Sequence, residues 1–384
     1  MMLHTRISYY EEFECLGDRC PDCCCKGWRI PLTDEDVSRF NKQKGWLGFL
    51  LRASMRGDET LRVFSDACLC CPFVTLSGLC DLQLKKGHDF LPETCRVYPR
   101  SVIRYMDHTE HHLDLSCIRA AELFLKHRRE QKMIEGCSEE AGDVRESGNN
   151  EDPAYLEALL DTREEIVSEI RQVSDAEGLN RVLKRIGSFT ASVQRETLSS
   201  GRSMLQKGDF LKTAEEEGVD DLFPLPIEVL NELMSTDFCE SSLKCRAPFL
   251  YRLCQLYYRR FDRLDAKAGQ ELLLCYYREQ VGKDPEEITF YSDYAVSVLL
   301  RHYAESFEDY SPYLKFEDLV ILLNLLLLFR LLYREANGKP AGEEEARILS
   351  SVEKRFFHNE KIQKQLRLSL TESSKRGYHK RVFP

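Results

Sequence analysis

The sequence predicts a mainly α-helical chain in two parts: a cysteine-rich N-terminal metal-binding domain with short helices and a small β-hairpin, then a helical C-terminal domain. Three observations predict it. Apolar residues recur at helical spacing through the second half. Of the 16 cysteines, 11 lie between Cys15 and Cys117. A polar stretch, Glu135–Pro153 (EGCSEEAGDVRESGNNEDP), separates the two regions and reads as a solvated linker. The expected organisation is therefore 1–134 metal-binding and catalytic, 135–153 linker, and 154–384 helical. The length of 384 residues suits this, at roughly 100–200 residues per domain.

Composition bounds the class. Hydrophobic residues are 43% and charged residues 31%, which is globular rather than disordered. The net charge of −10 argues against a general nucleic-acid binder, and no nucleic-acid partner is expected. The start, MMLHTRISYYEEFECLGDRC, has no apolar run of a secretory signal. The longest apolar stretch, Leu319–Leu332, is interrupted by Asn324 and Arg330 and reads as a buried helix, not a membrane span. A cytoplasmic protein is expected, and there clustered thiols point to metal ligands or catalytic groups before disulfides.

The elements follow in order. Thr33–Lys42 reads as a helix with Thr33 as its cap. Arg100–Tyr105 and His111–Leu115, either side of MDHTE, suggest a hairpin whose exposed turn carries His108, His111 and His112. Pro153–Phe189 is helical, with apolar residues from Leu156 to Val173 on one face. A weaker break falls at Ser199–Asp221, where Gly201, Gly208 and Gly218 cluster. PIEVLNELM, FLYRLCQLYYRRF, QELLLCYYREQV, ITFYSDYAVSVLLRHYAESF and EDLVILLNLLLLFRLLYREANGK read as further helices, the last stopped by Gly338 and Pro340. EEARILSSVEKRFFHNEKIQKQLRLSL completes the set, and the basic tail SSKRGYHKRV reads as a frayed end.

The cysteines carry the chemistry. The first group is Cys15-x4-Cys20-x2-Cys23-Cys24-Cys25-Lys-Gly-Trp28, and the second Cys68-x-Cys70-Cys71-Pro-Phe, followed by Cys80, Cys95 and Cys117. Thiolates suit Zn²⁺ and Fe–S clusters. Adjacent side chains diverge, so the triplet 23–25 cannot all bind one ion. Two CxxC knuckles of a zinc ribbon are absent, which tilts the reading toward iron–sulfur. Cys239, Cys245, Cys254 and Cys275 fall among apolar helical residues and read as core cysteines.

These motifs, FECLGDRCPDCCCKGW, CPFVTLSGLCDLQLKKGHDFLPETCRVYPR and LDLSC, resemble the flagellin lysine-N-methylase family, part of a wider group of cysteine-cluster proteins described as zinc- or iron-chelating. The resemblance covers roughly residues 8–125, and His358 in KRFFHNEK matches a further family position. It implies methyl transfer from S-adenosylmethionine to lysine ε-amino groups of flagellin, with a [4Fe–4S] cluster (zinc being the alternative). The cysteines matched are Cys15, Cys20, Cys24, Cys25, Cys71, Cys80, Cys95 and Cys117, of which only a subset can be ligands. Two departures stand out: Cys23 where relatives carry a small hydroxyl residue, and Ile118-Arg119 where Pro-Glu is expected.

The residues themselves do not signal the methyl donor. No GxG occurs, so a Rossmann-type loop is not indicated. The radical-type CxxxCxxC triad fails at Gly27. Lysine must lose its proton to become a nucleophile, since its reference pKa is about 10.4; apolar walls or a base would help. Trp28, Phe73, Phe90 and Tyr98 are candidate walls, each more simply read as packing. Tyr98 is the candidate base or hydrogen-bond acceptor, and Arg100 the candidate clamp for the donor's carboxylate. The competing readings are a non-enzymatic zinc or Fe–S interaction module, and a redox or electron-transfer protein using Cys23, Cys24 and Cys25.

Overall fold

The computed structural model describes residues 3–26, 29–57, 62–64, 71–75, 77–136, 144–148, 151–201, 205–213, 220–235, 247–261 and 263–375. Cys68, Cys70, Cys137, Cys239, Cys245, Gly218, Trp28 and most of the basic tail lie outside them. The described chain is mainly helical, with two small sheets. Its strands are β1 (Leu3–Ile7), β2 (Ile30–Leu32), β3 (Met55–Gly57), β4 (Arg62–Phe64), β5 (Arg100–Tyr105), β6 (His108–Leu113), β7 (Met133–Glu135) and β8 (Val144–Glu146). The first helices are α1 (Asp34–Asn41), α2 (Gly45–Ser54), α3 (Asp81–Lys86), α4 (Glu93–Val97) and α5 (Ile118–His127). Then come α6 (Pro153–Ile170), α7 (Ala176–Ser200), α8 (Asp209–Lys212), α9 (Ile227–Ser235) and α10 (Pro248–Phe261). The chain closes with α11 (Ala266–Gln280), α12 (Pro285–His302), α13 (Pro312–Asn337), α14 (Glu343–Phe357) and α15 (Glu360–Lys375).

Local signals place the ends of these helices. Thr33 caps α1 in a reciprocal box with Asp36. Gly201, at φ +73°, takes the left-handed position that stops α7. Gly338 ends α13. The single helical stretch expected over Pro153–Phe189 is two helices, because the chain breaks after Ile170 and Asp175 caps a new start.

The expected hairpin exists but is larger and differently placed. β5 and β6 pair from Arg100↔Leu113 to Tyr105↔His108, so the turn is Met106–Asp107. This pair is the centre of a five-stranded sheet ordered β7-β1-β6-β5-β8. His108, His111 and His112 are therefore buried on a central strand, not exposed in a turn. Their burial is compatible with polarity because Glu110 lies among them. Its carboxylate meets His108 at 3.1 Å, His112 at 3.2 Å and the Arg163 guanidinium of α6 at 2.8 Å. Burial pushes the Glu110 carboxyl up, but Arg163 and the two histidines hold it well below the ordinary range. Part of the stretch expected as linker, Val144–Glu146, pairs with β5 as an edge strand.

Two hydrophobic cores form. The larger runs from Ile7 and the five-stranded sheet through α5 to the last helices. α13 threads its centre, touching α7, α10, α12 and α14. Gly187 of α7 is required there, since a Cβ would sit 2.9 Å from the Phe316 ring. Asn324 and Arg330, which interrupt the leucine run, are both buried and satisfied. Asn324 donates to Leu222 O at 2.8 Å and accepts from Leu225 N at 2.7 Å. Arg330 binds Glu345 at 2.6 Å and Glu287 at 2.7 Å. Among the described residues no helix is long and apolar enough to cross a membrane. The smaller core gathers Ile30, Leu32, Phe40, Leu51, Phe73, Leu82 and Leu91 around Cys25 and Cys71.

Candidate functional site

The loops of the smaller core bring sulfur atoms together from distant parts of the chain. The 20–26 loop is tied to the second cysteine group by a backbone bond from Cys71 N to Cys25 O of 2.8 Å. The thiols of Cys23, Cys24 and Cys71 each hydrogen-bond the Cys25 thiol. Cys23 also donates to Gly78 O at 3.5 Å. Cys80 and Cys117 stand immediately before α3 and α5, so backbone N–H groups of Leu82, Gln83, Arg119 and Ala120 point at their sulfurs. Cys95 lies within the electrostatic reach of Cys71, Cys24 and Cys80, and Cys20 within that of Cys24 and Cys15. Cys15 is exposed at the outer edge.

All nine of these are free thiols. Cys25 acts as the shared proton donor: bonds to Cys23, Cys24 and Cys71 push its own pKa up. Its neighbours move the other way. The bond from Cys25 draws Cys23 down to about 6 against the opposing burial. Cys24 and Cys71 are lowered by the same contact. Burial raises Cys20, Cys80, Cys95 and Cys117, the last to about 12. The donor set thus suits a thiophilic metal or Fe–S cluster by type, and thiolate character is greatest where the loops meet. Among the described residues no three metal-binding side chains stand in ligating geometry. In the helical half, Cys275 is an exposed thiol and Cys254 is disulfide-bonded, so neither is simply a packed core thiol.

Beside the sulfurs lies a polar chain that the residues Tyr98 and Arg100 only half anticipate. The Tyr98 hydroxyl is 2.8 Å from Ser116 Oγ, and Ser116 Oγ is 2.7 Å from His358 Nε2. The same His358 nitrogen is 3.2 Å from Asp114 Oδ2. Asp114 in turn accepts from the Ser116 backbone N–H at 2.9 Å. Serine and aspartate share one imidazole nitrogen, so this is not the relay of a serine hydrolase, which needs both. Burial opposes the Asp114 charge, yet His358 and Ser116 keep its carboxyl well below the usual range. Burial, then Asp114 and Cys117, push the Tyr98 phenol well up, despite its bond to Ser116. Tyr98 therefore holds its proton at neutral pH and serves as a hydrogen-bonding group.

Arg100 is placed elsewhere. Its guanidinium donates to Phe13 O at 3.0 Å and lies over the rings of Tyr10 and Phe13. It secures the segment leading to Cys15. Phe73 is buried in the small core, and the Phe90 ring lies 5.6 Å from that of Phe40 at a tilt of 53°; both pack. The LDLSC motif contained Asp114 and Ser116, but only its cysteine drew notice. His358 reaches the site from the end of α14, because that helix packs along α5.

No protein-family profile matches the chain, and no solved structure matches it. Among curated proteins it is similar to the flagellar biosynthetic protein FliU of Salmonella muenchen, 25% identical over 133 residues, covering 29% of this chain and 71% of FliU. It is likewise similar to the lysine-N-methylases of Salmonella typhimurium and Salmonella choleraesuis, each 28% identical. The chain spans only 30% of the length of either methylase. Over the stretch it shares with these proteins, the chain is a relative of the flagellin lysine-N-methylase family.

Proposed function

We propose that this chain transfers a methyl group from S-adenosylmethionine to lysine ε-amino groups of flagellin. The similarity to proteins named lysine-N-methylase carries the reading. The Tyr98–Ser116–His358–Asp114 chain, beside the cysteine loops, supports it by supplying what the reaction needs.

The lysine enters as an ammonium and must release a proton. Asp114, fixed as a carboxylate, orients His358. Ser116 and Tyr98 extend hydrogen bonds from that imidazole, so a proton leaving the amine has a path to Nε2. The freed nitrogen lone pair then attacks the sulfonium methyl. The C–N bond forms as the C–S bond breaks, and S-adenosylhomocysteine leaves with the electron pair.

The cysteines proposed to hold a [4Fe–4S] cluster are a subset of Cys15, Cys20, Cys24, Cys25, Cys71, Cys80, Cys95 and Cys117. These cysteines would hold the cluster, which when bound would tie together loops that have little apolar support and would supply an iron able to take the donor's amino and carboxylate groups. The reading is tested by incubating cluster-replete protein with S-adenosylmethionine and flagellin and mass-analysing the lysines. Gains of one methyl unit are expected. No gain leaves the non-enzymatic metal module or the redox protein as the better account.

A further inference from the structure

Between Val37 and Gly57 the charged side chains are Arg39, Lys42, Lys44, Arg52 and Arg56, with no acid among them, in a chain of net charge −10. Asp36 answers Arg39. The other four meet no carboxylate among the described residues. Arg52 donates instead to Gln43 O at 2.9 Å, and Arg56 to the Ala53 carbonyl and to Met55 O at 3.2 Å. α2 lies in the middle of this stretch and has two faces. Leu47, Leu50 and Leu51 pack into the small core that holds Cys25 and Cys71. Trp46 and Phe49 stand outside it, 72% and 54% exposed. Their rings stack on each other, with centres 5.2 Å apart. Among the described residues they are the only exposed Trp, Phe or Tyr side chains.

Trp46, Phe49 and Ala53, at i, i+3 and i+7, form one exposed stripe along α2. Lys42 and Lys44 are exposed at its N-terminal end, Arg52 and Arg56 at its C-terminal end. The first turn of α2 carries no acid, so the positive end of the helix is left to an outside anion. Apolar rings flanked by cations complement a surface that is apolar within and anionic at its edge. A second copy of this face does not supply one, since an isologous pair would set cations against cations. A helix from another protein docks in a groove, whereas Trp46 and Phe49 project into solvent. A nucleic-acid strand stacks its bases on free ring faces, and these two rings have turned a face to each other. A bilayer interface fits best. There Trp and Phe enter at headgroup depth while Lys and Arg meet the phosphates.

We propose that α2 and its flanking cations dock the cysteine region on an anionic phospholipid surface, with Trp46 and Phe49 inserted at headgroup depth. The proposal does not depend on the methyl-transfer reading, and neither falls with the other. The full chain is floated with vesicles of phosphatidylcholine and phosphatidylglycerol in equal amounts, and with vesicles of phosphatidylcholine alone. Flotation with the anionic vesicles only is expected, weakening as salt is raised. The chain has two tryptophans, so in Trp28→Phe the emission reports Trp46 and should shift to the blue on binding. Trp46→Ser/Phe49→Ser and Lys42→Glu/Lys44→Glu should each bind anionic vesicles at least about tenfold more weakly. Their thermal midpoints should stay at wild-type values, because all four side chains are exposed. No flotation, equal flotation with both vesicle types, unshifted Trp46 emission in bound protein, or wild-type affinity in a folded variant overturns the proposal. So does tighter, Trp46-dependent binding of fluorescein-labelled polyglutamate or oligothymidylate, which would give the face to an acidic protein or a nucleic acid.

Discussion

Around Cys25 and Cys71, among the described residues, seven apolar side chains besides the cysteines form the buried core, whereas in α13 every residue from Leu319 to Leu332 is buried. The helical body holds itself by hydrophobic contact, and it can bury ions because each is matched. Arg301 meets Glu353 at 2.7 Å, and Tyr294 donates to the same carboxylate at 2.6 Å. The cysteine region has little of either. Its three-stranded sheet has three-residue strands, and its helices α3 and α4 have six and five residues. Isolated pieces of that length are not stable in water. The contrast sets a body held by its own packing beside short elements with little of it, which the proposed metal centre would tie together.

The sharpest way to break this comparison is to compare the protein with and without the proposed cluster. Cluster-free protein should lose amide protection across residues 29–57 and 77–97, while α12 and α13 stay protected, as read by hydrogen exchange. Equal protection in both states would mean that the small core stands alone. Next in size, His358→Ala and Ser116→Ala should each lower the methylation rate by about 10²- to 10⁴-fold, with iron content unchanged. A fall in iron content instead would move these residues from proton handling to cluster support. In the helical body, Arg330→Met strands Glu345, while Glu287 keeps Arg334 and Lys339, and should cost about 3–5 kcal/mol in denaturant unfolding. The same variant should leave the absorption spectrum of the cysteine region alone.

The smallest effect concerns pH. Burial, then the charges of His4, His112 and Arg6, lower His111 to about 4, against a partial opposite pull from Glu11. The unfolded chain binds this proton near pH 6.5 and the folded chain does not. Stability from this group is therefore complete above about pH 6.5 and declines as the pH falls toward 4, by about 1–3 kcal/mol. His112 is shifted down in the same direction, burial again being the main cause. His111→Asn should flatten the slope between pH 4 and 6.5; an unaltered slope would mean that His111 takes its proton as readily folded as unfolded.

Much of the fold was legible. The cap at Thr33, the stop at Gly338 and the long helices follow from local chemistry, because capping residues and apolar periodicity act within a few residues. The histidines were misread for the same reason. His108, His111 and His112 look like a polar turn until Arg163, fifty residues later, supplies the partner that lets Glu110 be buried with them. The site divides likewise. Cysteine density announced a sulfur centre, but which thiols touch depends on the Cys71-to-Cys25 backbone bond.

By itself the sequence determined the helical body, the caps, the cysteine-bearing loops and a likeness over part of the chain, since all of these are written in neighbouring residues. Tertiary structure alone decided that His358 meets Ser116 across 242 positions and that Arg100 serves the Phe13 carbonyl. The physical reason is that hydrogen bonds and charge pairs act over a few ångströms of space, which helix packing sets and residue order does not display.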